Sequence, residues 1–376
     1  MGSGSSKGSG CTKKGDKKKD KTFLIKSLEH HEGGINAMCI SSDGKTIVTG
    51  SEDKTGRLWD TRTEDTIGEL QGHVGYINGV CASDKYAFTC ASDKTIRKWS
   101  LETGRCIKVF KGHASTVHRV LYVCDFLFST SYDKTAKLWQ ADTGECVRTF
   151  KGHKRGVYPL IFVPSEINRG TYIDLDNNDD ILVTGSADNT AKAWGMNSNE
   201  CMNTFKGHEG AILCLAVDGK GRLLFTGSSD STIRSWDLHT YSPLKSFKGH
   251  SASVICIQVV NKLMYSSSAD HTAKCWVVEF GDCTRTYRGH KHCIGAMVVQ
   301  DGLMFTGSGD GTAKVFDAKS GTCKRTYKGH ESAINCLVAS KGKLYTASYD
   351  RTLRIWDATK LRDDEDDVYT KENGVK

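Results

Sequence analysis

A polar pattern recurs eight times along this 376-residue chain: a His, then an Asp, then an aromatic residue always six positions after the Asp. The pairs are Asp53/Trp59, Asp93/Trp99, Asp133/Trp139, Asp188/Trp194, Asp230/Trp236, Asp270/Trp276, Asp310/Phe316 and Asp350/Trp356, which use up all seven tryptophans. The leading histidines are His31, His73, His113, His153, His208, His250, His290 and His330. Their spacing is 40 to 42 residues except for 55 between His153 and His208. Self-similarity at this period means that each unit is one supersecondary element, unable to bury its own apolar face and obliged to stack on its neighbours. What recurs in every unit therefore belongs to the fold, and function is to be sought where the units differ.

One unit shows what is stacked. In the sixth, Val254 to Val260 is a continuous apolar run, Asn261-Lys262 a turn, Leu263 to Ser267 a second strand, Thr272 to Val277 a third and Cys283 to Tyr287 a fourth. Short β-rich runs at hairpin spacing, apolar on both faces, belong in sheets sandwiched between other sheets. Only 3 Pro but 39 Gly punctuate the chain, as many tight turns require. The expected fold is all-β: a single closed eight-bladed β-propeller of four-stranded antiparallel blades over residues 23–357. Residues 1–22 and 358–376 are expected to be disordered tails. The last unit supplies only three strands, and Phe23 to Leu28 stands ready as its fourth, pairing two otherwise free edges and locking the ring.

Four residues before each Asp stands a hydroxyl residue (Thr49, Thr89, Ser129, Thr184, Thr226, Ser266, Thr306, Thr346), and two residues after each Asp stands Thr. His, hydroxyl, carboxylate and indole can form one fully paired buried chain, the condition under which a buried polar network is tolerable. This set resembles the structural tetrad of WD-repeat proteins, across about nine-tenths of the chain. The resemblance implies a fold-building role for residues that could pass for a Ser-His-Asp catalytic triad, which no enzyme needs in eight copies. The basic residue two before each aromatic position (Arg57, Arg97, Lys137, Lys192, Arg234, Lys274, Lys314, Arg354) falls under the same rule. Phe316 lacks the indole donor, so the seventh blade is expected to be slightly looser.

Composition narrows the function classes. Fifteen cysteines without a C-x-x-C pair or an apolar leader fit a reducing, cytoplasmic setting, and they are read as small buried hydrophobes, not metal ligands. The absence of any 18-residue apolar run argues against a membrane span. The net charge of +8 is unevenly placed: residues 1–22 carry seven Lys against two Asp, and residues 361–376 three basic against six acidic side chains. The body is left too weakly charged for a nucleic-acid footprint. No phosphate loop or isolated nucleophile and base stands outside the repeats, so neither an enzyme, a cofactor nor a small-molecule substrate is expected. A G-protein β subunit would need an N-terminal heptad helix that the Gly- and Lys-rich start does not provide.

Four irregularities carry the functional expectations. The start, Met1-Gly2-Ser3-Gly4-Ser5-Ser6, fits an N-myristoylation pattern with Gly2 as acceptor; Cys11 could take a second acyl chain, and the lysines around it could add attraction to an anionic membrane surface. A single acyl chain binds membranes only marginally, at about 10⁴ M⁻¹, so the tail would need both signals to give a peripheral place at an inner membrane face. The fourth unit carries an insertion, Pro164 to Asp180, whose Asp174, Asp176, Asn178 and Asp180 alternate like the opening of a calcium loop. It lacks that loop's Gly and closing Glu. Third, the family's partner-binding rim lies three and five residues after the His and one before the Asp. That resemblance points to Tyr76, Asn78, His118, Tyr132, Tyr158, Leu213, Ile255, Asn335 and Tyr349 as contacts for other proteins or peptides, with the tyrosines on one arc. No Arg precedes a repeat Asp, which disfavours phosphopeptide reading. The fourth is the acidic tail from Asp363 to Asp367, expected to be solvated. The leading expectation is a non-catalytic protein-interaction scaffold or adaptor. An alternative, a substrate receptor of a cullin-RING ubiquitin ligase, rests on Trp59, Asp60 and Arg62, which resemble a box for docking on the ligase adaptor.

Overall fold

The computed structural model describes residues 23–165, 173, 175 and 180–361. Their regular structure is entirely β: 32 strands in eight antiparallel sheets of four. Seven sheets take four strands in sequence and the eighth takes three, with its outermost supplied by the start of the chain; the strands are here called a to d from the axis outward. The first strands, Ile35–Ile40, Ile77–Ala82, Val117–Val123, Val157–Val163, Ile212–Val217, Val254–Val260, Ile294–Gln300 and Ile334–Ser340, pack against one another in a closed inner ring. In the sixth blade the observed strands Val254–Val260, Leu263–Ser268, Ala273–Val277 and Cys283–Tyr287 match the sequence reading to within a residue.

Closure follows the expected route. Leu24–Leu28 pairs antiparallel with Leu353–Asp357, Leu28 opposite Leu353 and Lys26 opposite Ile355, and so becomes strand d of the eighth blade. Phe23 holds the seam beside it: the Arg325 guanidinium lies 3.9 Å from its ring centroid, and its backbone carbonyl accepts from the Asp357 N–H at 2.9 Å. The N-terminal strand thus covers an edge that would otherwise present unpaired backbone groups.

Burial falls from the middle of each blade to its rim. Strand b is buried along nearly its whole length in every blade, whereas strand d opens on exposed residues. Neighbouring blades are welded by an aromatic residue at the end of one strand d inserted against the tetrad aromatic of the next blade. Phe110 and Trp139 lie 5.9 Å apart, Phe205 and Trp236 5.3 Å, Tyr287 and Phe316 5.6 Å, Tyr327 and Trp356 5.4 Å. Such partly tilted and edge-on contacts add about 0.5–1.5 kcal/mol per pair beyond the area they bury.

The turn between strands b and c explains the Asp-x-Thr constant. The residue after each repeat Asp is left-handed, Lys54 at φ 72°, Lys134 at 72°, His271 at 69°, with glycine used only in the seventh blade, Gly311 at 74°. A non-glycine residue there costs about 1–2 kcal/mol. The Asp carboxylate offsets this by accepting from both the backbone N–H and the hydroxyl of the Thr two residues on, for example Thr55 at 2.8 and 2.7 Å.

One sequence expectation is corrected. Cys106, Cys146, Cys283 and Cys323 are exposed, not buried, and Cys201 is half-buried. They open strand d, the outermost strand, where their thiols reach backbone carbonyls two residues on, such as Arg148 at 3.3 Å. Their position repeats because the strand edge repeats, not because a core demands it. Cys90, Cys214 and Cys275 are buried as expected, while Cys256 and Cys336, at the same repeat position as Cys214, are half-buried.

Candidate functional site: the His face and the central channel

Seven tetrads are complete and built alike, and the one in the seventh blade lacks only the indole. The His Nδ1–H donates to the Asp carboxylate at 2.6–3.1 Å, for example His31 to Asp53 at 2.6 Å and His290 to Asp310 at 3.1 Å. The hydroxyl donates to His Nε2, 2.8 Å from Thr49 to His31, and accepts from the indole N–H, 3.0 Å from Trp59. The carboxylate also accepts from the backbone N–H that follows the His, 3.0 Å from Glu32. Burial alone would raise the carboxylate pKa, yet hydrogen bonds outweigh it and hold Asp230, Asp270 and Asp310 at about 2: from Thr and His at the first two, and from Thr312 and the Lys291 backbone N–H at Asp310. Burial in turn lowers the pKa of His208, His250 and His290, keeping them neutral. The central hydroxyls are fully buried. A nucleophile with no access to substrate does no chemistry, so the tetrads are scaffold.

In the seventh blade Phe316 is as buried as its tryptophan counterparts, but Thr306 has no indole to accept from. The His290–Asp310 distance there is 3.1 Å, against 2.9 Å for His153–Asp188 in a blade that keeps its indole, so the contact does not single out the blade without one. The four lysines of this set bond outward to a strand-d Thr, for example Lys137 to Thr149 Oγ1 at 2.8 Å and Lys192 to Thr204 Oγ1 at 2.7 Å, whereas Arg354 Nε donates to Thr352 Oγ1 in its own turn.

The His-bearing loops define one face, and its aromatic residues resolve into two groups. Tyr132 crosses the seam from the third blade and lies over Gly156 of the fourth, where a Cβ would sit 2.8 Å from the ring. His118 and Tyr158 complete a trio with it: centroid distances are 4.3 Å for His118–Tyr132, 4.9 Å for His118–Tyr158 and 5.5 Å for Tyr132–Tyr158. Burial and a hydrogen bond with Tyr132 push the Tyr158 phenol up to about 12. Burial, then the charge of Arg119, lowers His118 to about 4, so its ring is neutral, and its Nε2 is buried without a partner. Tyr349 repeats the posture over Gly34, beside Tyr76 and Glu52, whose charge raises its phenol pKa. Tyr76, Tyr132 and Tyr349 are 52%, 47% and 51% exposed, and Val74 is 77% exposed beside Tyr76.

The remaining rim candidates are placed differently. Asn78 donates across the seam to the Val117 carbonyl at 3.0 Å, and Asn335 to the Ile35 carbonyl at 2.9 Å, so both amides already tie blades together. Leu213 and Ile255 are half-buried on the fifth and sixth blades, away from either aromatic group. Trp59 is buried, and the Asp60 carboxylate accepts from the backbone N–H groups of Arg62 and Thr63 at 2.7 and 2.8 Å, the turn role that Asp237, Asp317 and Asp357 also fill. Arg62 is exposed on the opposite face, at the edge of a cleft of about 460 Å³ shared with Lys45, Lys341, Lys343 and Tyr345. Gly2 and Cys11, with Asp174, Asp176 and Asn178 of the insertion, lie outside the described residues. Asp180 is buried and accepts from the Ser165 N–H at 2.8 Å, an anchoring contact at the base of the insertion.

Motif reading missed Glu52, the stacked pair His271 and His292 at 5.9 Å, and Arg119. Arg119 could have been found: it is the only Lys, Arg, Asp or Glu in the eight first strands. Among the described residues no group of three or more His, Cys, Asp or Glu is arranged to hold a metal ion.

Comparison with known proteins agrees with the geometry. The model for "WD domain, G-beta repeat" matches eight times, at residues 22–60, 64–100, 104–140, 144–195, 199–237, 241–277, 281–317 and 321–357. WD repeat-containing protein 86 of Homo sapiens is 59% identical over 192 residues, 51% of this chain and 51% of that protein. A probable E3 ubiquitin ligase complex SCF subunit, sconB, of Talaromyces stipitatus is 34% identical over 64 residues, 17% of this chain and 9% of that protein. The matches thus span about half the length of the first of these relatives and far less of the second. Among solved structures, the computationally designed Ika8 protein superposes with a TM-score of 0.78 at 27% identity, covering 88% of this chain and 98% of that one. Eight matched repeats, seven with the full tetrad and one lacking only its indole, closed by a strand from the far end of the chain, make this protein a member of the WD-repeat family of β-propellers.

Proposed function

We propose that this protein is a non-catalytic interaction scaffold that receives a partner protein or peptide on its His face, centred on Tyr132. The observation that carries the reading is the His118, Tyr132 and Tyr158 trio: neutral aromatic rings, partly exposed and fixed across a blade seam on a rigid ring. Rigid aromatics lose little entropy on binding and dominate interface energetics, about 2 kcal/mol or more each at a hot spot. Affinity purification with wild type and the Tyr132→Ala, Tyr158→Ala double variant tests it. The variant should fold normally and lose co-purifying partners; an unchanged partner set would refute the site.

In this reading the Gly2 and Cys11 tail sets where the scaffold works, holding it in the cytoplasm or at the inner face of a membrane. Proximity labelling of wild type beside Gly2→Ala reports both partners and membrane dependence, and mass spectrometry that finds unmodified Gly2 ends the tether. A second reading, substrate receptor of a ubiquitin ligase, draws support from exposed Arg62 and from the likeness to sconB, a probable E3 ubiquitin ligase complex SCF subunit. Since Trp59 and Asp60 are engaged in the fold, it depends on Arg62 alone: Arg62→Ala should abolish capture of the ligase adaptor, and no capture by wild type sinks it.

A further inference from the structure

The eight first strands that enclose the axis are neutral except at one point. At the position six after each repeat His stand Ala37, Gly79, Pro159, Cys214, Cys256 and other small or uncharged residues; in the third blade alone it is Arg119. Its side chain is exposed although it springs from the innermost strand, so it emerges into the central channel and not into a seam. Its charge is felt at Cys90 of the second blade, Cys256 of the sixth and Cys336 of the eighth. A cation sensed on so many sides of the ring lies in the lumen all the blades share. No carboxylate or carbonyl among the described residues is within hydrogen-bond or ion-pair distance of it, although other basic side chains, such as Lys26, Lys98 and Lys343, have found carboxylates.

A guanidinium with five donors and no acceptor, in a channel whose wall offers no negative charge, is complementary to a carboxylate. At its mouth, one residue away in the chain, stands His118 of the aromatic trio, uncharged and with a ring nitrogen unsatisfied. We infer that the central channel is an acidic-residue socket: a partner segment lies across Tyr132 and Tyr158 and inserts one Asp or Glu side chain into the channel, where Arg119 pairs with it. This rests on the His face being the partner surface and adds the chemistry of what it selects.

The test is a random-peptide display selection on the full-length protein, followed by an array of the selected peptides with each Asp or Glu changed to Asn or Gln. It is run on wild type, Arg119→Met and Arg119→Lys, with a thermal melt of each. Selected peptides should share one acidic position, whose neutralisation costs about tenfold or more in affinity, the worth of a charge-assisted hydrogen bond. Arg119→Met should abolish that preference with an unchanged melting temperature, and Arg119→Lys should keep part of it. Peptides that bind wild type through Tyr132 with no acidic position, or that keep their preference in Arg119→Met, would overturn the socket while leaving the rim intact. Binding that appears only when a Ser or Thr is phosphorylated would overturn the carboxylate assignment. Failure of the whole selection, together with indifference to Tyr132→Ala, would remove the rim and the socket at once.

Discussion

Acid should unfold this propeller abruptly, because eight like carboxylates titrate together. Each tetrad Asp is held ionised below the ordinary Asp range: burial pushes its pKa up, but hydrogen bonds from His, Thr and a backbone N–H more than compensate, leaving Asp230, Asp270 and Asp310 at about 2 and the other five lower still. In the unfolded chain these groups return to about 3.9. The unfolded state therefore binds more protons, so the stabilisation is complete above about pH 5 and is lost as pH falls from about 4 toward 2. At pH 3 an unfolded Asp is about nine-tenths protonated and a folded one about one-tenth. Eight of them make a difference of about six protons, or about 9 kcal/mol per pH unit. Against a total stability of about 5–15 kcal/mol, one pH unit is enough to unfold the ring. Neutral His208, His250 and His290 act in the same direction, starting nearer the ordinary His value. The assay is the denaturant-unfolding free energy at steps from pH 5.5 to 3. Asp310→Asn, at the longest His–Asp contact, should lower the slope by about one proton. A slope below about two protons, or one unaltered by Asp310→Asn, would contradict the tetrad account.

The remaining expectations concern the ring and its rim. Phe316→Trp should raise stability by about 1 kcal/mol: Gly289 meets only the Lys314 side chain, at 3.6 Å, where over the equivalent Gly152 the Trp194 edge and Lys192 share the space, Tyr287 packs on position 316 as Tyr327 does on Trp356, and Thr306 gains a donor. A lower melting temperature would mean that the slot has closed around the smaller ring. Deleting residues 1–28 should bare the edge of Leu353–Asp357 and yield concentration-dependent oligomers by light scattering; a monomer of unchanged melting temperature would deny the closure its role. Gly156→Ala should tilt Tyr132 off its seat and weaken partner capture by about tenfold with little change in stability, since the ring it displaces is surface-exposed.

The spacing of His, hydroxyl, Asp and aromatic residue was enough to specify blade number, strand order within a blade, the tetrad pairing and closure by Phe23–Leu28, because each depends on contacts inside one repeat or on simple edge matching. The thiols of strand d show the limit of that logic: recurrence identified their position but not their exposure, which depends on how far out in the blade the strand lies. Asn78 and Asn335 show it again, since a polar residue at a rim position reads alike whether its amide is free or spent on the next blade.

By itself, then, the sequence determined a ring of eight self-similar sheets and marked the repeats that break step. Only the tertiary structure decided what those breaks amount to: that Tyr132 leans over Gly156 to meet His118 and Tyr158, that Tyr349 does the same over Gly34, and that Arg119 is exposed on an innermost strand with no ion pair among the described residues. The reason is geometric. A tetrad is local to one blade and is written in one repeat, whereas seams and the axis are made by residues tens to hundreds of positions apart, which meet only when the circle closes.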